Sequence, residues 1–484
     1  MGTCRVDLKN YLDKDQLIAK RDQIKRIFFY RVCGTGMGAA ACLLKEKGLL
    51  VEGGDTQYYP PMSDYLKSTG IVCHKLGEYD AEQLKNFDLI VVGNVVPRMS
   101  DDARTIENSG VAFCSFPAAL GAFVLKDTNV VGIAGTHGKT TTTYFATQVF
   151  ESMNQEPGYF IGGVMEGRPS AKLGVGKYFF IESDEYDSGY FEKFSKFQSY
   201  EIDHLLLTSV EFDHADIFKD LDAIKSEFRN LFKKIPESII YSSDYPAIQD
   251  LKNENLEHYK KLSWTSYGSN NEIGPKILET STSGSSFSLD GQTYKTNVIG
   301  LHNLLNLSAV ILFARNEGFS FEQISGAIKD LKMVRRRQEL RGYYQGVPVI
   351  DDFAHHPKAV DLTLNGLRVT YPNRKLVVVM EANSATARSN IFQKEFEQAL
   401  HVADEVVFAR PARPTSVSWA GNLDIDTMAK NLTSIGKSSR VVGKLSELRV
   451  EIDQRINDKT LLVILSNGTC LGLWESDFVQ ALKS

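Results

Sequence analysis

No C-x-x-C pair and no metal-finger spacing occurs among the six cysteines, Cys4, Cys33, Cys42, Cys73, Cys114 and Cys470. Reduced thiols are therefore expected, not a disulfide frame. Basic charge is not in excess either. A net charge of −5 and a pI near 6.1 argue against nucleic acid as the main partner. The opening MGTCRVDLKNYLDKD has no apolar signal core, and Val6 stands where a myristoylation signal needs Ser or Thr. No uninterrupted apolar run approaches bilayer-spanning length. These absences predict a soluble cytoplasmic protein with no nucleic-acid partner and no membrane insertion.

What is present fits a multidomain globular chain. At 484 residues it exceeds a single hydrophobic core. Strand-like apolar runs alternate with helical patterns, the mark of parallel α/β layers. RIFFYRVCG (26–34) reads as a buried strand, followed by the helix MGAAACLLKEKG, and DLIVVGNVV (88–96) reads as another strand. From Val130 a second α/β unit begins, in which KYFFIES and HLLLTSV are further strands. A polar tract (264–296) suggests hairpins or surface loops, and LKMVRRRQELRG a hinge. VPVIDD, KLVVVMEA, EVVFAR and LLVILSNG then form a third α/β run. The expected fold class is α/β in three domains, 1–127, 128–334 and 335–484: Rossmann-like, P-loop ATPase and Rossmann-like in turn.

The central stretch GIAGTHGKTTTTYF (132–145) ends like a phosphate loop, but Ile133 stands where the longer loop has its first glycine. Its strand, glycine turn and helix start aim backbone N–H groups at an anion. Lys139 can reach terminal phosphates, and the Thr140 hydroxyl can join a Mg²⁺ shell. Two carboxylate-rich strand ends follow. One carries Glu182, Asp184, Glu185 and Asp187; the other carries Glu211, Asp213, His214 and Asp216. Such strand ends are where open α/β sheets collect ligands, and hard oxygen donors suit Mg²⁺.

Earlier in the chain, Gly34-Thr35-Gly36-Met37-Gly38 lies between a strand and a helix, with Asp55 closing the next strand-like stretch. This pattern suits a dinucleotide, or equally the diphosphate of another nucleotide. Arg335-Arg336-Arg337 reads either as a solvated run or as a source of an arginine reaching transferred phosphate. His355-His356 follows Asp351-Asp352 at another strand end.

Taken in order, GTGMG, GTHGKTTTT, ESDEYD, EFDHAD, GLHNLLN, RRRQELRG and DDFAHHP resemble the Mur ligase family, from about Arg26 to the end of the chain. The resemblance implies an N-terminal UDP-sugar domain, a central ATPase domain and a C-terminal amine-binding domain. It implies ATP and Mg²⁺, and a reaction that passes through an acyl phosphate. Gly135, Thr136, His137, Gly138, Lys139, Thr140 and Thr141 would hold the phosphates. Thr140, Glu182 and His214 would be metal ligands. His302, Asn303 and Asn306 would face adenine, Arg337 the phosphates and Asp352 the ribose. The catalytic set implied is Lys139, Glu182, His214 and Arg337.

Gly34, Thr35, Gly36, Met37, Gly38 and Asp55 would bind the UDP-sugar, and His355, His356, Ser384, Thr386 and Arg388 the incoming peptide. Arg388, Arg410 and Arg413 would suit the peptide's carboxylates. DDFAHHP, EFDHADIF and EANSATARSNIFQKEF look most like the murein-recycling branch. Its members join L-alanyl-γ-D-glutamyl-meso-diaminopimelate to UDP-N-acetylmuramate. Ala382 and Asn383 stand where that pattern has Pro and Arg. The expected partners are these two small molecules, for a monomer or weak dimer. The alternative within the family is the sister enzyme that adds L-alanine. An NAD-dependent dehydrogenase would leave the phosphate loop and carboxylates idle, and a nucleotide-gated binding protein would not need Glu182 with His214.

Overall fold

The computed structural model describes residues 8–77, 79–163, 165, 167–215, 217–254, 257–384, 386–411 and 420–483. Cys4, Asp216 and Arg413 lie outside the described residues. The chain divides into two compact units. The first contains Met1–Glu211, Asp222–Tyr267 and Ala309–Ala327; the second contains Phe212–Leu221, Gly268–Ser308 and Ile328–Ser484.

The first unit carries two sheets. Strands β1 (Arg26–Tyr30), β2 (Leu50–Asp55), β3 (Val72–Lys75), β4 (Leu89–Val92) and β5 (Ala112–Ser115) form a parallel sheet in the order β3-β2-β1-β4-β5. The run RIFFYRVCG gives a shorter strand than its apolarity suggests. Arg31 adopts a φ of 69°, and the N–H groups of Arg31 and Val32 both reach the carbonyl of Gly54, so the ladder ends at Tyr30.

The second sheet contains β6 (Asn129–Ala134), β7 (Gly158–Phe160), β8 (Ala171–Lys172), β9 (Tyr178–Ser183), β10 (Ile202–Leu207), β11 (Ser238–Ser242) and β12 (Ser263–Tyr267). Its order is β12-β11-β10-β6-β9-β7-β8, parallel except for the β7–β8 pair. In both sheets the chain departs to either side of one strand, β1 or β6. This reversal opens a crevice at that strand's carboxyl end. The two glycine turns sit there.

In the second unit the polar tract folds as an antiparallel meander, β13 (Lys276–Ser281), β14 (Gly284–Leu289) and β15 (Gln292–Thr296). A six-stranded sheet follows, of β16 (Glu339–Tyr344), β17 (Val347–Asp352), β18 (Lys375–Glu381), β19 (Glu405–Ala409), β20 (Ser438–Val442) and β21 (Thr460–Ser466). The order is β16-β17-β21-β18-β19-β20, with only β16 antiparallel. Val378, Val406 and Val463 enter one core cluster while Val377, Val407 and Leu462 enter another. Both faces are thus covered, which is why these strands read as continuous apolar runs. Among the described residues no helix is long and apolar enough to cross a membrane.

Candidate active site

The helix Lys139–Ser152 starts directly after Gly138, at φ 83°. Its threonine run is made tolerable by local bonding. Thr143 Oγ1 donates to the Lys139 carbonyl at 2.9 Å and Thr147 Oγ1 to that of Thr143 at 2.9 Å. Thr140 spends its hydroxyl differently, donating to Glu182 Oε1 at 2.8 Å. The other oxygen of Glu182 accepts the Gly162 N–H at 2.7 Å. Burial, reinforced by Asp184, holds the Glu182 carboxyl above its usual range despite Lys139.

Lys139 Nζ donates to the Gly135 carbonyl at 2.6 Å and lies 3.1 Å from Glu185 and 3.8 Å from Asp184. Burial opposes its charge, but Glu185, Asp184 and Glu182 outweigh that and hold the ammonium above its usual range. With Lys196 also 3.4 Å from Asp184, two cations stand among three carboxylates. A buried carboxyl held above its usual range beside a threonine hydroxyl is a donor set that fits a hard divalent cation.

The loop is pinned from β10. His137 N donates to Ser209 Oγ at 2.7 Å, Thr136 N to the Ser209 carbonyl at 3.3 Å, and Glu211 N to Thr136 Oγ1 at 2.9 Å. His137 Nε2 lies 3.2 Å from Glu211. A Cβ on Gly135 would come within 2.7 Å of the Ser209 backbone, so this close approach needs glycine.

The first glycine turn is built otherwise. Gly34 precedes the helix Thr35–Glu46. Asp55 turns its oxygens inward, accepting Cys33 N at 2.8 Å and Thr56 N at 2.7 Å, so it braces the turn from within. Arg31 Nε donates to Asp102 at 2.9 Å and its guanidinium lies 3.7 Å from Asp55. A Cβ on Gly38 would meet Met62 Sδ at 2.1 Å, and one on Gly36 would meet the Phe116 ring at 3.3 Å.

Glu182 belongs to the first unit and His214 to the second. Within the second unit, His214 (φ 53°) follows the buried Asp213. Burial raises the Asp213 carboxyl, but His214, His356 and His355 together hold it below its usual range. The two expected histidine-bearing strand ends therefore meet. His356 Nδ1 accepts the Lys358 N–H at 3.3 Å, capping the helix Pro357–Thr370, and its ring lies edge-on to Phe392. His355 Nδ1 faces the Phe353 carbonyl at 3.0 Å, which assigns that nitrogen the proton.

His302 Nε2 lies 3.1 Å from Gln338 Nε2, and burial with Arg337 nearby pushes the imidazole down to about 4. Asp352 accepts Gln338 N at 2.9 Å and Ala354 N at 2.7 Å. The buried Asn303 donates its amide to the Ile299 carbonyl at 3.1 Å, and Asn306 lies one turn further along the same helix, Leu301–Asn316. The three arginines diverge. Arg335 pairs with Glu339 at 3.4 Å. Arg336 donates to the carbonyls of Ser466 and Gly468 at 2.6 and 2.8 Å and lies 3.3 Å from Asp351. Arg336 and Arg337 both lie over the Phe353 ring, at 5.5 and 5.3 Å.

After β18, Ser384 to Arg388 close a turn, with Arg388 N on the Ser384 carbonyl at 3.0 Å and Ser389 N on the Thr386 carbonyl at 3.1 Å. Asn383 is tied by its backbone to Asn467 at 3.2 Å. A cavity of about 260 Å³ opens beside this turn, lined by Met380, Ala382, Arg388, Phe408 and Arg410 among others. Arg410 is held in a two-pronged pair with Asp426, at 2.8 and 3.0 Å.

Sequence reasoning missed the pinning role of Ser209, for which the only signal was that HLLLTSV reads as a strand ending in polar residues. It missed Gln338 altogether, since a glutamine after three arginines carries no pattern. Glu185 was visible only as one of a cluster.

Models of three Mur ligase domains match the chain in order. The catalytic domain covers residues 26–128, the middle domain 133–314 and the glutamate ligase domain 336–467. The chain belongs to the Mur ligase family. As a member it is an ATP-dependent ligase that joins a carboxylate to an amine. This Mur ligase is 37% identical over 424 residues to the UDP-N-acetylmuramate–L-alanyl-gamma-D-glutamyl-meso-2,6-diaminoheptandioate ligase of Escherichia coli (strain K12). That alignment covers 84% of this chain and 91% of the relative. It is 31% identical over 395 residues to the UDP-N-acetylmuramate–L-alanine ligase of Dictyoglomus turgidum, covering 79% and 81%. Among solved structures, a murein peptide ligase from Psychrobacter arcticus superposes with a TM-score of 0.66 at 28% identity, covering 94% of this chain and 98% of that one.

Proposed function

We propose that this Mur ligase joins L-alanyl-γ-D-glutamyl-meso-diaminopimelate to UDP-N-acetylmuramate in the cytoplasm, as a step of peptidoglycan recycling. The observation that carries the reaction type is the buried Lys139 at the helix start, ringed by Glu182, Asp184 and Glu185. The choice of peptide is supported by the higher identity to the E. coli tripeptide ligase than to the L-alanine ligase, 37% against 31%.

On this reading the domains span 1–127, 128–334 and 335–484, and the protein works as a monomer or weak dimer. Backbone N–H groups from Gly135 to Thr141 receive the phosphates of ATP, and Lys139 exchanges Glu185 for the transferred phosphoryl group. Thr140 and Glu182 would hold one Mg²⁺ and His214 a second; the bound ion supplies neutralisation of phosphate charge. His302, Asn303 and Asn306 take the adenine side, Asp352 the ribose and Arg337 the phosphates. Gly34 to Gly38 cradle the UDP diphosphate on N–H groups, with Asp55 fixing the turn. The sugar's lactyl carboxylate displaces ADP from the γ-phosphorus, and the peptide amine then displaces phosphate from the acyl carbon. His355, His356, Ser384, Thr386 and Arg388 line the peptide's place.

ADP release with UDP-N-acetylmuramate and either L-alanine, dipeptide, tripeptide or tetrapeptide tests this. A kcat/KM at least tenfold higher for the tripeptide than for L-alanine, about 1.4 kcal/mol, is the expected result. Equal or better use of L-alanine would make this the biosynthetic sister.

A further inference from the structure

Between Asp184 and Lys196 the chain leaves the phosphate site, crosses to the first sheet and returns. The neck of this strap is closed beside Lys139. Ser195 Oγ donates to the Glu185 carbonyl at 2.8 Å, Lys196 N to that of Tyr186 at 2.9 Å, and Asp187 bridges to Ser195. Lys196 Nζ lies 3.4 Å from Asp184.

The tip is built into the first sheet's core. Tyr190 is buried in one cluster with Phe28, Tyr30 and Phe113, and its hydroxyl donates to Glu107 at 3.2 Å. The Phe191 ring lies 5.1 Å from Tyr11 and 5.2 Å from Phe113. Glu192, only 2% exposed, accepts the Tyr11 hydroxyl at 2.8 Å and the Ser115 hydroxyl at 2.6 Å. Aromatic packing alone would hold the strap down. A buried carboxylate bonded on both oxygens adds direction, since it is satisfied in one placement only.

Ser115 is followed by Phe116, whose ring packs on Gly36 of the first turn and lies 5.6 Å under Lys196 Nζ. Contacts thus run unbroken from Gly36 through Phe116, Lys196 and Asp184 to Lys139. We infer that Glu192 is a positioning residue for ligation. By anchoring the strap on the sugar-binding sheet, it makes the placement of Asp184 and Glu185 around Lys139 depend on the occupant of the Gly34–Gly38 turn. This rests on the reading of that turn as the UDP-sugar site. Its consequence is reciprocal coupling, in which sugar tightens ATP and ATP tightens sugar by one factor.

The test is a pair of calorimetric titrations on the full chain, ATP with and without saturating UDP-N-acetylmuramate. Wild type is expected to bind ATP about fivefold tighter or better with the sugar. Glu192→Ala is expected to keep its affinity for each ligand alone within about twofold while the coupling falls below about twofold. Glu192→Gln, whose amide can still meet both hydroxyls, restores it. If Glu192→Ala fails to fold, Tyr11→Phe removes one of the two hydrogen bonds and carries the same titration. Coupling that is absent in wild type, or unchanged in the variants, with UDP-N-acetylmuramate still binding, overturns the inference and leaves the proposed function standing. No binding of UDP-N-acetylmuramate at all overturns both.

Discussion

The two glycine turns share a topology and differ in where their charges sit. Each follows a central strand, sits where its sheet's connections reverse, and opens a helix. At the first, Arg31 lies between Asp102 and Asp55, and Asp55 is spent on the N–H groups of Cys33 and Thr56, so the turn offers mainly backbone N–H groups. At the second, the lysine that opens the helix faces Glu182, Asp184 and Glu185 directly, with Lys196 on the far side of Asp184. The same backbone device therefore serves two tasks. On the function proposed above, one would hold a diphosphate that does not react and the other a phosphate that is transferred with a metal.

The sharpest way to break this comparison is Lys139→Ala. The ammonium opens the phosphate-loop helix itself, and its loss is expected to slow ADP release by at least about a thousandfold, some 4 kcal/mol of activation free energy. Far-UV circular dichroism is expected to show a folded variant, so that the loss of turnover is read separately from any loss of stability. Near-normal turnover would make the loop structural. The equivalent change at the first turn, Arg31→Ala, is expected to raise the KM for UDP-N-acetylmuramate while leaving ATP affinity within about twofold.

A second comparison concerns glycine. Gly135→Ala meets the Ser209 backbone and a φ of 135°, and is expected to cost about 2–4 kcal/mol in urea unfolding. Gly38→Ala meets a flexible thioether and is expected to cost about 1–2 kcal/mol. In a Met62→Ala background the Gly38 penalty should fall, leaving only the tight approach to the Val32 carbonyl, whereas Thr208→Ala should not relieve Gly135. Equal rescue at both turns would mean that side chains, not backbone, set the limit at each.

A pH-dependent effect is expected from His302. Its imidazole is held well below the unfolded value, so between about pH 4 and 6.5 the unfolded chain binds the extra proton. Stability should therefore rise with pH through that window and level off above it. His302→Gln should remove about 3 kcal/mol of the rise across the window. An unchanged slope would show that other groups control it.

Much of the frame could be read from local pattern. Apolar strands such as Val347–Asp352 and Thr460–Ser466 are covered on both faces, and a two-faced burial writes itself into the sequence as an unbroken run. The turn at Gly135 and Gly138 and the helix start at Lys139 were legible because a tight strand-to-helix connection fixes the glycine spacing. What local pattern could not carry was long-range pairing. Asp55 suggests a ligand contact in the sequence, yet its oxygens are engaged by Cys33 and Thr56. Arg410 looks like a partner for a peptide carboxylate, yet Asp426 already meets it. Glu192 gave no signal, because its partners lie 77 and 181 residues away.

The divergence of the three arginines has a consequence for ionic strength. Arg335 is matched by Glu339, and Arg336 spends its guanidinium on two backbone carbonyls beside Asp351, which leaves Arg337 with its face on Phe353. Three adjacent positive charges in the sequence thus contribute little more than one to the field felt by an approaching nucleotide. Association of ATP should slow only gently as salt rises, with the weak screening expected of a single cation and not of a basic patch.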